Sequence, residues 1–241
     1  MATDSSAVTL DGLDATFRDA AVYLHGPDAL VLADVHVGMD EASAVEFPLG
    51  ERRDLAERLS ALVEAFEPAT VAFAGDLLHS FGRASVGTEE TVSSLVAACR
   101  GAGARVVVVR GNHDTMLDAV WSGDVHDEYA LADGTLVCHG HEAPAGDAPL
   151  YVVGHDHPAI AIEGRRRPCY LYGPGAYRGG DVLMLPAFTR LAAGAEVNGM
   201  AASDFQSPLV PDADALRPIV WDADADESLS FPPLGRFRRL L

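Results

Sequence analysis

The chain has 241 residues, of which 49% are hydrophobic and 22% charged, enough for one sizeable core in a single α/β domain. Its 36 acidic residues outweigh 17 basic ones, every one an arginine, for a net charge of −19. That balance excludes broad electrostatic attraction to nucleic acid and leaves any contact with phosphates to local arginines or bound metals. No uncharged apolar run reaches the ~18 residues of a membrane helix, and the N-terminus lacks a basic stretch followed by an apolar one, so a cytoplasmic protein without a membrane partner is expected. Cys99, Cys138 and Cys169 form neither a disulfide framework nor a CxxC pair, and read as reduced thiols.

In chain order, apolar runs suited to buried strands fall at residues 21–24, 29–33, 70–74, 105–109, 135–138 and 151–153. Helical spacing marks 51–66, through Leu55, Leu59, Leu62, Val63 and Phe66, and 88–100, which follows a threonine cap and stops before Gly101. Strand alternating with helix implies right-handed crossovers and partly parallel pairing. Later runs at 159–162, 169–172 and 181–185 follow one another without long helices, which predicts a second, mixed or antiparallel sheet. The expected fold class is α/β, a two-sheet β-sandwich of mixed strands flanked by helices. From Ser203 the composition shifts to Asp, Ala and Pro, so the boundary is set at a domain over 1–202 and a loosely packed acidic appendage over 203–241. Its last residues, 235–241, are basic and apolar, either a docking segment or a frayed end.

Seven of the nine histidines follow the C-terminal ends of predicted strands, beside Asp, Asn or Gly; His25 and His126 do not. The carboxyl ends of strands in an open α/β sheet form the crevice where ligands bind. Five loops therefore direct metal-ligating residue types at one place: Asp34-Val-His36, Gly75-Asp76-Leu-Leu-His79, Gly111-Asn112-His113-Asp114, His139-Gly-His141 and Gly154-His155-Asp-His157. Buried histidines that satisfy loop backbones would account for any one block, but not readily for five in series.

These blocks, in this order, resemble the signature of calcineurin-like metallophosphoesterases, which implies a four-layer α/β/β/α sandwich. The resemblance assigns Asp76 as a carboxylate bridging two divalent ions, with Asn112, His139 and His155 on one ion and Asp34, His36 and His157 on the other. Manganese is the ion expected, with Fe, Zn, Co or Ni as alternatives, and the implied chemistry is attack by a metal-bound hydroxide on a phosphodiester. His113 carries over as the residue that contacts the phosphate and assists the leaving oxygen, with Asp114 orienting it; a structural imidazole is the other reading. His79 resembles a phosphate-positioning histidine of SbcD-type nucleases, against an outward-facing loop histidine, and His141 reads as a supporting residue.

Residues 154–198 look similar to archaeal SbcD-related phosphoesterases and to DNA-ligase-associated phosphoesterases, within a resemblance covering roughly 10–210. The lysine-free, acidic composition also resembles proteins of salt-loving archaea, where the screening length falls to ~3 Å at molar salt, so charge alone does not exclude a nucleic-acid substrate. Only 15 positions separate His139 from Gly154, too few for a DNA-clamping insertion. An open site is expected, acting on a phosphodiester such as a single-stranded nucleic acid or oligonucleotide. Arg165, Arg166 and Arg167 supply either phosphate contacts or a solvated hairpin turn. A small-molecule phosphodiesterase and a binding module without catalysis are the competing readings.

Overall fold

A computed structural model describes residues 12–42, 50–79 and 85–240. The strands in chain order are β1 (Ala15–Arg18), β2 (Ala21–Leu24), β3 (Ala29–Leu32), β4 (Thr70–Ala74), β5 (Arg105–Val109), β6 (Val125–His126), β7 (Glu128–Ala130), β8 (Leu136–Cys138), β9 (Leu150–Val153), β10 (Pro158–Ile162), β11 (Arg165–Pro168), β12 (Tyr170–Tyr177), β13 (Gly180–Met184), β14 (Ala195–Glu196), β15 (Arg217–Asp222) and β16 (Glu227–Ser230). The helices are α1 (Met39–Ala42), α2 (Glu51–Phe66), α3 (Val86–Gly101), α4 (Leu117–Val120) and α5 (Leu234–Phe237). Among the described residues no helix is long and apolar enough to cross a membrane.

Two large sheets face each other. The first runs β1-β2-β3-β4-β5-β6, antiparallel through β3 and parallel from there on; the second runs β16-β15-β12-β13-β9-β8-β7 with mixed pairing. Central strands are buried on both faces, which is why they read as unbroken apolar runs. In β3, Ala29 and Val31 point between the sheets while Leu30 and Leu32 point at the helices. In β9, Leu150 and Val152 meet them from the other side, while Tyr151 and Val153 face outward into a third cluster. Outside the first sheet, α2 packs through Leu55, Leu59, Leu62 and Val63, and α3 through Val92, Leu95 and Cys99. Helix α3 starts earlier than the periodicity indicated. Its cap is Ser85, whose hydroxyl accepts the Thr88 N–H at 3.0 Å, so Thr88 lies inside the first turn and Gly101 closes the last.

The expected two-sheet α/β sandwich is the architecture found. Its fourth layer is built mostly from short pieces: the small sheet β11-β10-β14, three 3₁₀ turns between Val197 and Ala215, and the single turn α5. Loose packing after residue 203 is not found. Leu209, Leu216, Ile219 and Leu234 are buried, and β15 joins the second sheet by pairing with β12. An Asp-rich surface marked this stretch as poorly packed, but its few apolar positions all point inward. All three cysteines are free and buried, as expected, and burial pushes the thiols of Cys99 and Cys138 up to about 12.

Candidate metal centre

Parallel strands of both sheets end on one rim, and the loops after β3, β4, β5, β8 and β9 carry the predicted site residues. Asp34 and His36 follow β3, Asp76 and His79 follow β4, Asn112 to Asp114 follow β5, His139 follows β8, and His155 and His157 follow β9. Backbone hydrogen bonds continue the pairing past the strand ends: Asp34 N–H to Gly75 O (3.1 Å), His36 N–H to Asp76 O (2.9 Å), His79 N–H to Val37 O (3.1 Å) and Gly154 N–H to His139 O (3.0 Å). The loops are thus extensions of the sheet and hold side chains as rigidly.

The backbone bends sharply here. Asp34, His36, Asp76, His155 and His157 all have φ between 45° and 75°, five of the 12 non-glycine residues in that region among those described. Each such residue costs on the order of 1 kcal/mol or more, so the clustering marks a place where surrounding contacts impose geometry. The same crowding explains two glycines. A Cβ on Gly75, itself at φ 85°, would lie 2.3 Å from the His139 ring, and one on Gly111 would lie 2.0 Å from Asp76 Oδ1.

Asp76 sits at the centre. Its Oδ1 accepts the His113 N–H at 2.8 Å, while Oδ2 stands 3.4 Å from His139 Nε2, 3.8 Å from His36 Nε2 and 4.0 Å from His113 Nε2. Asp34 Oδ2 accepts the His155 N–H at 3.0 Å, and Oδ1 approaches His157 Nε2 at 3.2 Å. His139 Nδ1 lies 3.2 Å from the Ala74 carbonyl, a partner that fixes the ring so that Nε2 faces Asp76 and Asn112 Oδ1, the latter at 2.9 Å. Among the described residues three sets of donor atoms lie within 4.8 Å of one another: Asp34 with His36 and His157, Asp34 with Asp76 and His139, and His36 with His79 and His113. His155 lies outside these sets, its ring 4.9 Å from that of His139. His79 faces inward, its ring 5.3 Å from His36. His141 stands beside His139 at 5.1 Å, while His25 bonds Thr16 elsewhere.

The cluster is short of positive charge. Among the described residues, buried Asp34 Oδ1 has no hydrogen-bond partner despite its closeness to His157, and neither does buried His36 Nδ1. Burial pushes His36 and His155 down to about 4, the neutral form a metal ligand needs. Burial opposes both charges of the Asp76–His139 pair. Even so, the His139 hydrogen bond takes the carboxyl down to about 2, and Asp76 with Asp34 takes the imidazole up to about 9. A proton on His139 therefore holds together what divalent ions would hold, and the mixed nitrogen and oxygen donors fit such ions.

A pH dependence follows for the metal-free protein. His36 and His155, lowered from 6.5, withdraw stability as pH falls from 6.5 towards 4, because the unfolded chain then binds more protons. His139, raised to about 9, withdraws it as pH rises from 6.5 through 9. A divalent ion held by His139 would displace its proton, and the gain in melting temperature on adding manganese should then widen between pH 6.5 and 9. Differential scanning fluorimetry with and without chelator measures it, and a gain that shrinks over that range would contradict the arrangement.

Three buried carboxylates that touch no donor set hold the loops. Asp114 accepts Leu78 N–H and Gly111 N–H, both at 2.9 Å, tying the β4 loop to the β5 loop; it thus fixes the backbone that carries His113. Glu51 accepts Gly38 N–H (2.8 Å) and Met39 N–H (3.0 Å), fastening α2 to the turn after His36. Asp156, between two predicted ligands, accepts Gln206 N–H (2.8 Å) and Ser207 N–H (3.0 Å). Sequence reasoning named Asp114, as the residue that orients His113, and named neither of the other two. Asp156 had a signal, an acid flanked by two histidines; Glu51 had none.

No curated protein matches the chain significantly. Its structure is similar to that of Pseudomonas putida nuclease MPE, at 26% identity and a TM-score of 0.61 over 88% of this chain and 92% of that one. It also aligns with Yfce, a phosphoesterase from E. coli, at 15% identity and a TM-score of 0.44 over 85% and 98%, too distant to argue from. The model of the calcineurin-like phosphoesterases matches residues 28–185, from the start of β3 to the end of β13 and so through all five loops. The chain belongs to that family of metal-dependent phosphoester hydrolases.

Proposed function

We propose that the protein is a phosphodiesterase working with two divalent ions, manganese first among them, and cutting nucleic acid in the manner of a nuclease. The observation that carries this reading is the position of Asp76, one carboxylate oxygen facing histidines from three other loops within 4.0 Å. Ions held there would neutralise phosphoryl charge and lower the pKa of water. Asp34, His36 and His157 form one side of the cradle; His139, Asn112 and His155 form the other. His113, half-buried and tied by its backbone N–H to Asp76, has Nε2 4.0 Å from Asp76 Oδ2, at the edge of the cradle, and is the residue assigned to assist the leaving oxygen. His79, stacked 6.0 Å from His113, shares that side and orients the phosphate. The nuclease part is supported by the similarity to the Pseudomonas putida nuclease and by an open rim, on which Asn112 is exposed.

The test compares a bis-aryl phosphodiester, an aryl phosphomonoester, a cyclic dinucleotide and a labelled single-stranded oligonucleotide, with manganese at high salt. Diesters should be cut well above the monoester. His113→Gln should lower kcat by about 10²-fold or more while metal stoichiometry stays unchanged. Preference for the monoester, or full activity without His113, would reject the assignment. Turnover of the cyclic dinucleotide alone would keep the diesterase and remove the nuclease.

A further inference from the structure

Beside the metal centre the same rim carries a second depression. Site residues follow β3, β4 and β5 in one sheet and β8 and β9 in the other. The cleft is bordered instead by the β1–β2 turn, the loop after β13 and the end of β15. His157 belongs to both, lining the cleft while approaching Asp34 at 3.2 Å, so the two spaces share a wall. The cavity measures about 360 Å³, inside the range of roughly 300 to 1,000 Å³ usual for ligand sites.

Its lining reverses the chain's charge balance. Four arginines stand against three aspartates, in a protein with 36 acidic residues and 17 basic ones. Arg58 is structural: buried, it binds Asp19, Asp54 and the Phe188 carbonyl, and clamps α2 to the loop after β13. The other three are surface arginines with donors to spare. Arg166 reaches Glu196 at 3.2 Å and the Gly194 carbonyl at 3.3 Å, and Arg190 reaches Asp54 at 2.8 Å and Asp19 at 3.4 Å. Arg167 comes no closer than 3.7 Å to Asp222. A guanidinium has five N–H donors, so each can still take a phosphate oxygen. Across the cleft stands Trp221, an aromatic wall steadied by the Arg18 guanidinium 5.6 Å from its ring, with Asp222 and Asp224 beside it. Cations for a phosphate, carboxylates for base N–H groups and a ring for stacking together match a nucleotide better than a bare anion or an alkyl chain.

We propose that this cleft holds the nucleotide next to the scissile phosphodiester, its outer phosphate on Arg166, Arg167 and Arg190 and its base along Trp221, so that the substrate is a single-stranded nucleic acid. The proposal rests on the phosphodiesterase reading above. A small aryl diester, lacking both neighbouring phosphate and base, would engage the metal centre without entering the cleft.

The experiment uses the full chain with manganese, and a variant carrying Arg166→Ser, Arg167→Ser and Arg190→Ser. Fluorescence anisotropy with a labelled, phosphorothioate-linked single-stranded trinucleotide reads binding apart from activity. The Kd should rise about tenfold or more in the variant at fixed salt, and also in Trp221→Leu, while kcat/KM for the bis-aryl diester stays within about twofold. Failure of the unsubstituted protein to bind the trinucleotide, or equal binding by the variant, would overturn the proposal. Loss of folding in the triple variant, seen by circular dichroism, passes the same comparison to Arg190→Gln, whose side chain is 63% exposed. An unsubstituted protein inert towards the aryl diester would remove the phosphodiesterase reading, and the anisotropy would still decide the cleft.

Discussion

Asp76→Asn should lower kcat/KM for a bis-aryl phosphodiester by about 10³-fold or more. Asparagine keeps the size and an oxygen for the His113 N–H, so the β4 and β5 loops stay joined. What goes is the charge between His36, His113 and His139. Removing one member of a buried ion pair is costly when the other must stay charged. Here it need not, because His139 can release its proton once the carboxylate that raises its pKa is gone. The metal-free variant should therefore fold and melt within a few degrees of the parent near pH 8. Metal binding, followed by calorimetry, should weaken sharply. Activity within tenfold of the parent at unchanged metal stoichiometry would show that Asp76 is not the central ligand.

Deleting the chain from Ser203 onward should abolish folding altogether. Phe205, Leu209, Val210, Leu216, Val220, Leu234 and Phe237 are buried in the outer cluster of the second sheet, and Ile219 is buried between the two sheets. At roughly 1.5 to 3 kcal/mol for each large apolar side chain, their loss amounts to more than 10 kcal/mol. Total stabilities of about 5–15 kcal/mol leave no margin for that. The deletion also strips Asp156 of its two partners, Gln206 N–H and Ser207 N–H, and leaves a buried carboxylate between His155 and His157. Circular dichroism and proton NMR of the shortened chain should show no cooperative melt and no dispersed signals. A soluble, cooperatively melting product would establish a separable C-terminal unit. The milder Asp156→Asn, which keeps one acceptor, should fold while binding metal about 10- to 100-fold more weakly.

Much of the fold was legible because both large sheets are covered on two sides. Strands β3 and β9 are apolar at every position and β4 at every position after Thr70, and such runs stand out even in an acidic chain. The rim was legible because short side chains can converge on one point only from loops with glycine beside the ligand. Gly75 and Gly111 thus recorded the closeness of His139 and Asp76. The rest was hidden for two physical reasons. In a protein whose whole surface is acidic, Asp-rich composition no longer separates packed from unpacked segments, so Ile219 and Val220 of β15 were overlooked among their polar neighbours. Contacts between distant positions, Glu51 with Gly38 or Asp156 with Ser207, leave no periodic trace.

The clamp on Asp156 has a further consequence, for timing. The β9 loop is closed by a hydrogen bond to Asp34, 121 positions back, and by two more to partners 50 and 51 positions ahead. Contacts so far apart in sequence form late in folding, after loop closure has been achieved elsewhere. A ribosome must therefore extend the chain past residue 207 before the last loop of the rim can lock. An ion arriving earlier meets only part of its cradle. Manganese should then leave the refolding rate nearly unchanged and slow unfolding instead, making the bound ion a latch set at the end of assembly.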